Sequence, residues 1–246
     1  MASYQRIISL VPSLTELLIY LGLKENLVGR TRFCIHPQED IADIPIIGGT
    51  KNPRIDKIKK AAPDFILANK EENRKEDIEE LEQDFHVHLT DITTIEDALI
   101  SMHELGKSFG KTEQSDELAG KISDLLEQRP DEPPIRAAYL IWRDPWMTIG
   151  SDTYINDVMG HWKLDNVFDD QQRYPKITLQ SIKQRDPELV LLSSEPYPFK
   201  EKHVEEVQKK LPNTRILPVE GEWFSWYGSR MLEAFEKLNV WRKAIA

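Results

Sequence analysis

The chain has 246 residues, 40% of them apolar and 30% charged, which is room for a sizeable core and for one large or two small domains of an ordinary globular protein. Its 42 acidic residues against 32 Lys and Arg give a formal charge of −10, which excludes nucleic acid or an anionic membrane as the main partner, since both are bound through clustered positive charge. No apolar run approaches the ~18 residues of a membrane span, and the lone Cys34 cannot close an intrachain disulfide.

Arg6 to Val11 reads as a strand, and Ser13 to Glu16 matches a capping box that opens a helix ending near Gly22. Pro12, Ser13 and Glu16 interrupt the apolar stretch Ile7 to Gly22, and no small-residue cleavage site follows, so no export signal is expected in the chain as written. The expected location is the periplasm or cell envelope if a leader has been removed, and the cytoplasm if Met1 is the native start. Leu27 to Gly29 is a second strand, Gly48 and Gly49 mark a turn, Pro53 opens a helix to Ala62, and Phe65 to Ala68 is a central strand. A charged helix over Arg74 to Asp84 and a strand at Val87 to Leu89 complete the alternation of a mainly parallel sheet.

From Thr94 to Gln128, apolar residues including Ile95, Met102, Leu105, Leu118 and Ile122 recur at three- and four-residue steps, with Gly106, Gly110 and Gly120 as weak points. The pattern predicts one long helix, or two in line, ended by Pro130, Pro133 and Pro134, and acting as a stiff strut. Beyond it lie a strand at Ala137 to Trp142, helices near Thr153 to Met159 and Leu179 to Arg185, and a strand at Leu189 to Leu192. A helix near Lys200 to Leu211, a strand at Arg215 to Val219 and a closing helix over Ser229 to Ala244 follow. The expected divisions are an α/β lobe over residues 1–94, a linking helix over 95–130 and a second α/β lobe over 131–246.

One segment occurs twice. Ile58 to Glu71 (IKKAAPDFILANKE) and Ile182 to Glu195 (IKQRDPELVLLSSE) pair Pro63 with Pro187, Asp64 with Glu188 and Glu71 with Glu195 at one constant offset (195 − 71 = 124). Each copy reads as a helix, a buried strand and a polar loop. Two such units imply two similar lobes whose loop glutamates, Glu71 and Glu195, suit a partner with its own twofold.

Four of the six tryptophans fall in two clusters, Trp142 to Trp146 and Gly221 to Gly228, the second holding Glu222, Trp223, Trp226 and Tyr227. Both follow strands, where open α/β sheets bind ligands, and aromatic walls suit a large, flat or apolar ligand. Thr31 to Pro37, with Phe33 and His36, is the expected opposing wall, and His36 is a candidate metal ligand or hydrogen-bond donor. His86 and His88 alternate onto one strand face as a metal pair could, without further ligands at recognisable spacing. Nucleophile, phosphate-loop and zinc-enzyme motifs are absent from the sequence, so a non-enzymatic binder is expected.

Through Ile7 to Gly22 (IISLVPSLTELLIYLG), Gly48 to Ile58 (GGTKNPRIDKI), Pro63 to Ala68 (PDFILA) and Glu222-Trp223-Phe224, the chain resembles the helical-backbone solute-binding proteins of ABC transporters, the class of cobalamin and iron-siderophore receptors. The resemblance implies two Rossmann-like α/β lobes with parallel sheets, joined by a single long backbone helix, with the ligand in a cleft between them and little closure. It implies a corrinoid or ferric siderophore as ligand, no intrinsic cofactor, and docking of Glu71 and Glu195, with Glu72 adjacent, on arginines of an ABC permease dimer. It also implies an aromatic pocket with an acidic residue and a tryptophan at Glu222 and Trp223. This chain departs from the cobalamin receptors at Asn69, at the loop Phe33 to His36, and at Trp226, with Arg230 a turn later. The expected protein is a monomer that passes a metal chelate to a permease. Two alternatives stand beside it: a cytoplasmic chelate sensor or carrier that has lost the transporter, and an enzyme using His36 and carboxylates around a metal.

Overall fold

In the computed structural model, which describes residues 4–246, the chain divides into two compact units. The first takes the chain up to Ile92, then Glu96–Ser123 and Trp226–Leu232, and the second takes Thr93–Ile95, Asp124–Ser225 and Glu233–Ala246.

In the first unit the elements are β1 (Ile7–Ser9), α1 (Pro12–Tyr20), β2 (Leu27–Arg30), α2 (Gln38–Ile41), β3 (Gly48–Gly49), β4 (Asn52–Pro53), α3 (Ile55–Ala61), β5 (Phe65–Asn69), α4 (Lys75–Glu82) and β6 (Val87–Thr90). The sheet runs β2-β1-β5-β6, parallel throughout. Every residue of β1 and β5 is buried, which is why both read as continuous apolar runs and not as alternating ones. Ile8, Leu10, Ile47, Ile58, Ile66, Ala68, Ile78 and Leu81 form one core between this sheet and the helices covering it.

Three expectations here need correction. No side chain caps α1: the helix starts at Pro12, with Val11 as N-cap, because the ring presets the first helical φ and needs no N–H partner. Pro53 lies in β4, paired antiparallel with Gly48, and α3 begins two residues later behind Arg54. Gly48 and Gly49 therefore form a strand, not a turn; Gly48 has φ +127° and passes so close to β4 that a Cβ would stand 2.7 Å from the Asn52 carbonyl oxygen.

The long helix is two helices, α5 (Ile95–Ser108) and α6 (Thr112–Glu127), and they are not in line. Gly110 adopts φ +67°, and the Lys111 N–H donates to the Gly106 carbonyl at 2.6 Å, closing α5 as a left-handed stop. Then α6 returns against α5, so that Ser115 Oγ donates to the Met102 carbonyl at 2.5 Å and His103 Nδ1 lies 2.7 Å from Asp116 Oδ1. Periodicity continued across the break because Met102, Leu105, Leu118 and Ile122 are all buried whichever way the chain turns.

The second unit holds β7 (Ile135–Trp142), β8 (Met147–Thr148), α7 (Tyr154–His161), β9 (Leu164–Asn166), α8 (Leu179–Arg185), β10 (Leu189–Ser193), α9 (Glu201–Lys210), β11 (Arg215–Val219), α10 (Glu222–Ser225) and α11 (Arg230–Ala244). Strands β11-β10-β7 are parallel, and the far edge of β7 is shared by β9, parallel, and β8, antiparallel. Sequence reading missed β8 and β9, which are too short for periodicity to register.

The repeat is legible in the backbone. Both α3 and α8 end on a residue in the left-handed region, Ala62 at φ 43° and Asp186 at φ 48°, and β5 and β10 begin and end at matching positions. Asp64 accepts from the Arg6 N–H at 3.0 Å, as Glu188 does from the Arg136 N–H at 3.0 Å. The Arg6 and Arg136 guanidiniums in turn donate, each at 2.5 Å, to the carbonyls of Ala61 and Arg185.

Candidate functional site

The loop following β2 is held from beneath by Arg30. Its buried guanidinium donates to the carbonyls of Ile41 at 3.0 Å, Thr31 at 3.2 Å and Cys34 at 3.1 Å. Thr31 and Cys34 point inward and are fully buried, and burial pushes the Cys34 thiol above its ordinary pKa. Arg32, Phe33 and Ile35 are left on the outside.

His36, expected on the wall opposite the tryptophans, lies edge-on to Trp226 with ring centroids 5.4 Å apart. Trp226, Tyr227 and Arg230 belong to the first unit although they follow the last strand of the second. Trp226 is 7% exposed and Tyr227 is 5% exposed, so both are packing residues in this conformation and not an open wall. The Arg230 guanidinium lies 5.7 Å from the Trp226 ring centre and forms a two-pronged pair with Glu16, at 3.0 and 2.8 Å, with both side chains largely buried.

In the second unit, Trp142 ends β7 and pairs with Met147 of β8, so Trp142 to Trp146 is a hairpin and not a strand-to-helix loop. Trp142 keeps 40% of its surface exposed and meets Tyr197 at 5.6 Å, while Trp146 stacks on Phe199 at 5.9 Å. Tyr197 and Phe199 come from the loop carrying Glu195; sequence reasoning missed them, though the run Pro196-Tyr197-Pro198-Phe199 directly after a strand was the available signal. Arg143 is locked to Glu206 by two bonds of 3.0 Å. Glu222 and Trp223, both half-buried, lie in α10, with the Lys237 ammonium 5.9 Å from the Trp223 ring centre.

The two loop glutamates share a backbone anchor. Asn69, the last residue of β5, accepts the Glu71 N–H on its side chain at 2.8 Å, and Ser193, the last residue of β10, accepts the Glu195 N–H at 3.4 Å. Beyond that they differ. Lys51 Nζ donates to the Glu71 main-chain carbonyl at 2.5 Å, whereas Glu195 accepts from Ser225 Oγ on its carboxylate at 2.6 Å.

His86 stacks on Tyr4 and His88 on Phe65, and burial lowers the His88 pKa, so the pair serves aromatic packing. Among the described residues no three His, Cys, Asp or Glu side chains converge as a metal cage, and no helix is long and apolar enough to cross a membrane.

Residues 7–217 match the periplasmic binding protein family. The chain belongs to that family. As a periplasmic binding protein it is 22% identical, over 95% of its length and 87% of the relative's, to a vitamin B12-binding protein of Pectobacterium atrosepticum. Its fold matches the periplasmic vitamin B12 binding protein of Vibrio cholerae with a TM-score of 0.83 at 21% identity, covering 98% of this chain and 97% of that one. It also matches a periplasmic heme binding protein from Pseudomonas aeruginosa with a TM-score of 0.82 at 17% identity, covering 99% and 94%.

Proposed function

We propose that this periplasmic binding protein is the solute-binding component of an ABC importer, a non-enzymatic monomer that captures a corrinoid or another flat metal chelate without a resident cofactor. The observation that carries the reading is the exposed aromatic surface at carboxyl ends of strands, Phe33 beyond β2 and Trp142 at the end of β7, in a chain of this family. The relatives named for vitamin B12 and heme fit a ligand of that shape. Phe33 in the first unit and Trp142, Glu222 and Trp223 in the second are the proposed ligand contacts. His36, Trp146, Trp226, Tyr227 and Arg230 hold these segments in shape. Glu71 and Glu195 are the proposed docking residues for a permease dimer.

Titration with cobalamin, cobinamide and iron protoporphyrin, followed by tryptophan fluorescence, tests it. Stoichiometric 1:1 quenching by one of them, weakened about tenfold or more by Trp142→Ala, is the expected result. Failure of all three, and of ferric siderophores, would remove the reading.

A further inference from the structure

The loop after β2 exposes groups that the fold gains nothing by exposing. Phe33 keeps 52% of its surface in water and Ile35 keeps 47%. Burial of such a side chain favours the folded state, and the same loop buries Thr31 and Cys34 completely. The loop is also rigid, with Arg30 holding two of its carbonyl groups, the Phe33 N–H donating to Thr31 Oγ1 at 3.3 Å, and the Arg32 N–H donating to the Gly48 carbonyl at 2.8 Å. Its outward side chains are therefore presented in a fixed arrangement.

Arg32 is the charged member of that group. Its guanidinium carbon lies 5.8 Å from the centre of the Phe33 ring, and both side chains lie along the backbone of Gly49, where a Cβ would stand 3.3 Å from Phe33 Cε2 and 3.5 Å from Arg32 Nε. Among the described residues Arg32 makes no ion pair, although the chain carries 42 acidic side chains and the basic residues Arg54 and Lys24 both have carboxylate partners. A guanidinium kept from carboxylates, beside an exposed aromatic ring, matches a ligand that joins an acid group to a flat apolar face.

We infer that Arg32 and Phe33 form an acid-recognising subsite, so that the solute is an anionic chelate whose phosphate or carboxylate is held by Arg32 while its ring face covers Phe33. The inference rests on the solute-binding reading and adds the charge of the solute to it. Two matched ligand pairs separate the possible acid groups. Cobalamin carries a phosphodiester that cobinamide lacks, and iron protoporphyrin carries two carboxylates that its dimethyl ester masks.

The test compares wild type with Arg32→Gln and Arg32→Lys in all four titrations, alongside thermal unfolding. Because the Arg32 side chain is exposed and only its main chain is bonded within the loop, the variants should unfold with the wild type. The expected result is a loss of about tenfold to a hundredfold for the acid-bearing member of one pair in Arg32→Gln, partial recovery in Arg32→Lys, and less than a twofold change for its neutral partner. Loss for cobalamin alone assigns the phosphodiester, and loss for protoporphyrin alone assigns a carboxylate. Binding of cobalamin or iron protoporphyrin, with neither acid-bearing ligand weakened in Arg32→Gln relative to wild type, overturns the subsite and leaves the solute-binding reading standing. Binding of none, with ferric siderophores failing as well, overturns both.

Discussion

His203 caps α9 through its side chain. The Lys200 N–H donates to Nδ1 at 2.8 Å, which places the ring proton on Nε2, facing Tyr197 Oη at 3.3 Å. The neutral ring is satisfied at both nitrogens; a second proton on Nδ1 would oppose the Lys200 N–H. Burial and the facing cations Lys202, Arg143 and Lys200 lower its pKa from the ordinary 6.5, against the opposing pull of Glu206. A depressed histidine pKa means that the unfolded chain binds more protons than the folded one, so this contribution to stability is complete above about pH 6.5 and is lost as pH falls through the folded pKa. The urea midpoint should drop between pH 7 and pH 5, and His203→Gln, whose amide can still accept from Lys200, should show a smaller drop. Equal drops would remove His203 as the cause. Arg230 makes a second case at this scale. Its two-pronged pair with largely buried Glu16 gives it a structural role. Replacing Arg230 with Gln should cost roughly 3 kcal/mol of stability, read from chemical denaturation, before any ligand is added.

At the scale of elements, α5 and α6 test where sequence reasoning failed. Gly106 and Gly120 looked like equal weak points in one helix. In the fold they are opposites: a Cβ on Gly106 would lie 2.5 Å from Ser115 Cβ across the α5–α6 contact, whereas one on Gly120 meets nothing within 4 Å. Gly120→Ala should therefore raise stability by about 0.5–1 kcal/mol, the helix-propensity gain. Gly106→Ala carries the same gain but must push the helices apart, and should lower stability by about 1–3 kcal/mol. Opposite shifts in the urea midpoint are the expected outcome; two stabilised variants would mean that α6 does not lie against α5. Strands such as β5 and β10 were legible because burial on both faces writes an uninterrupted apolar run. The helix break was not, because a turn that keeps both helices on one core leaves the periodicity intact, and the only local mark of it is Gly110.

At the scale of the whole molecule, the internal repeat was the most legible feature, since one offset carries the left-handed helix ends, the strand limits and the anchored glutamates together. Sequence could not show that Trp226 and Arg230 belong to the first unit, because nothing local records which unit a late segment joins. The repeat also supports the sharpest functional test. If Glu71 and Glu195 dock on a permease dimer, their charge matters to delivery and not to capture. Glutamine is the right replacement, because it keeps an oxygen for Ser225 Oγ at position 195 while removing the charge. The double variant Glu71→Gln, Glu195→Gln should bind solute within about twofold of wild type, and should slow uptake by permease-containing vesicles by about tenfold or more, the scale of close charge pairs lost across an interface. Each single variant should fall between, because either lobe can still engage its half of a twofold partner. Uptake unchanged in the double variant would place docking elsewhere, and weakened solute binding would make these glutamates ligand residues.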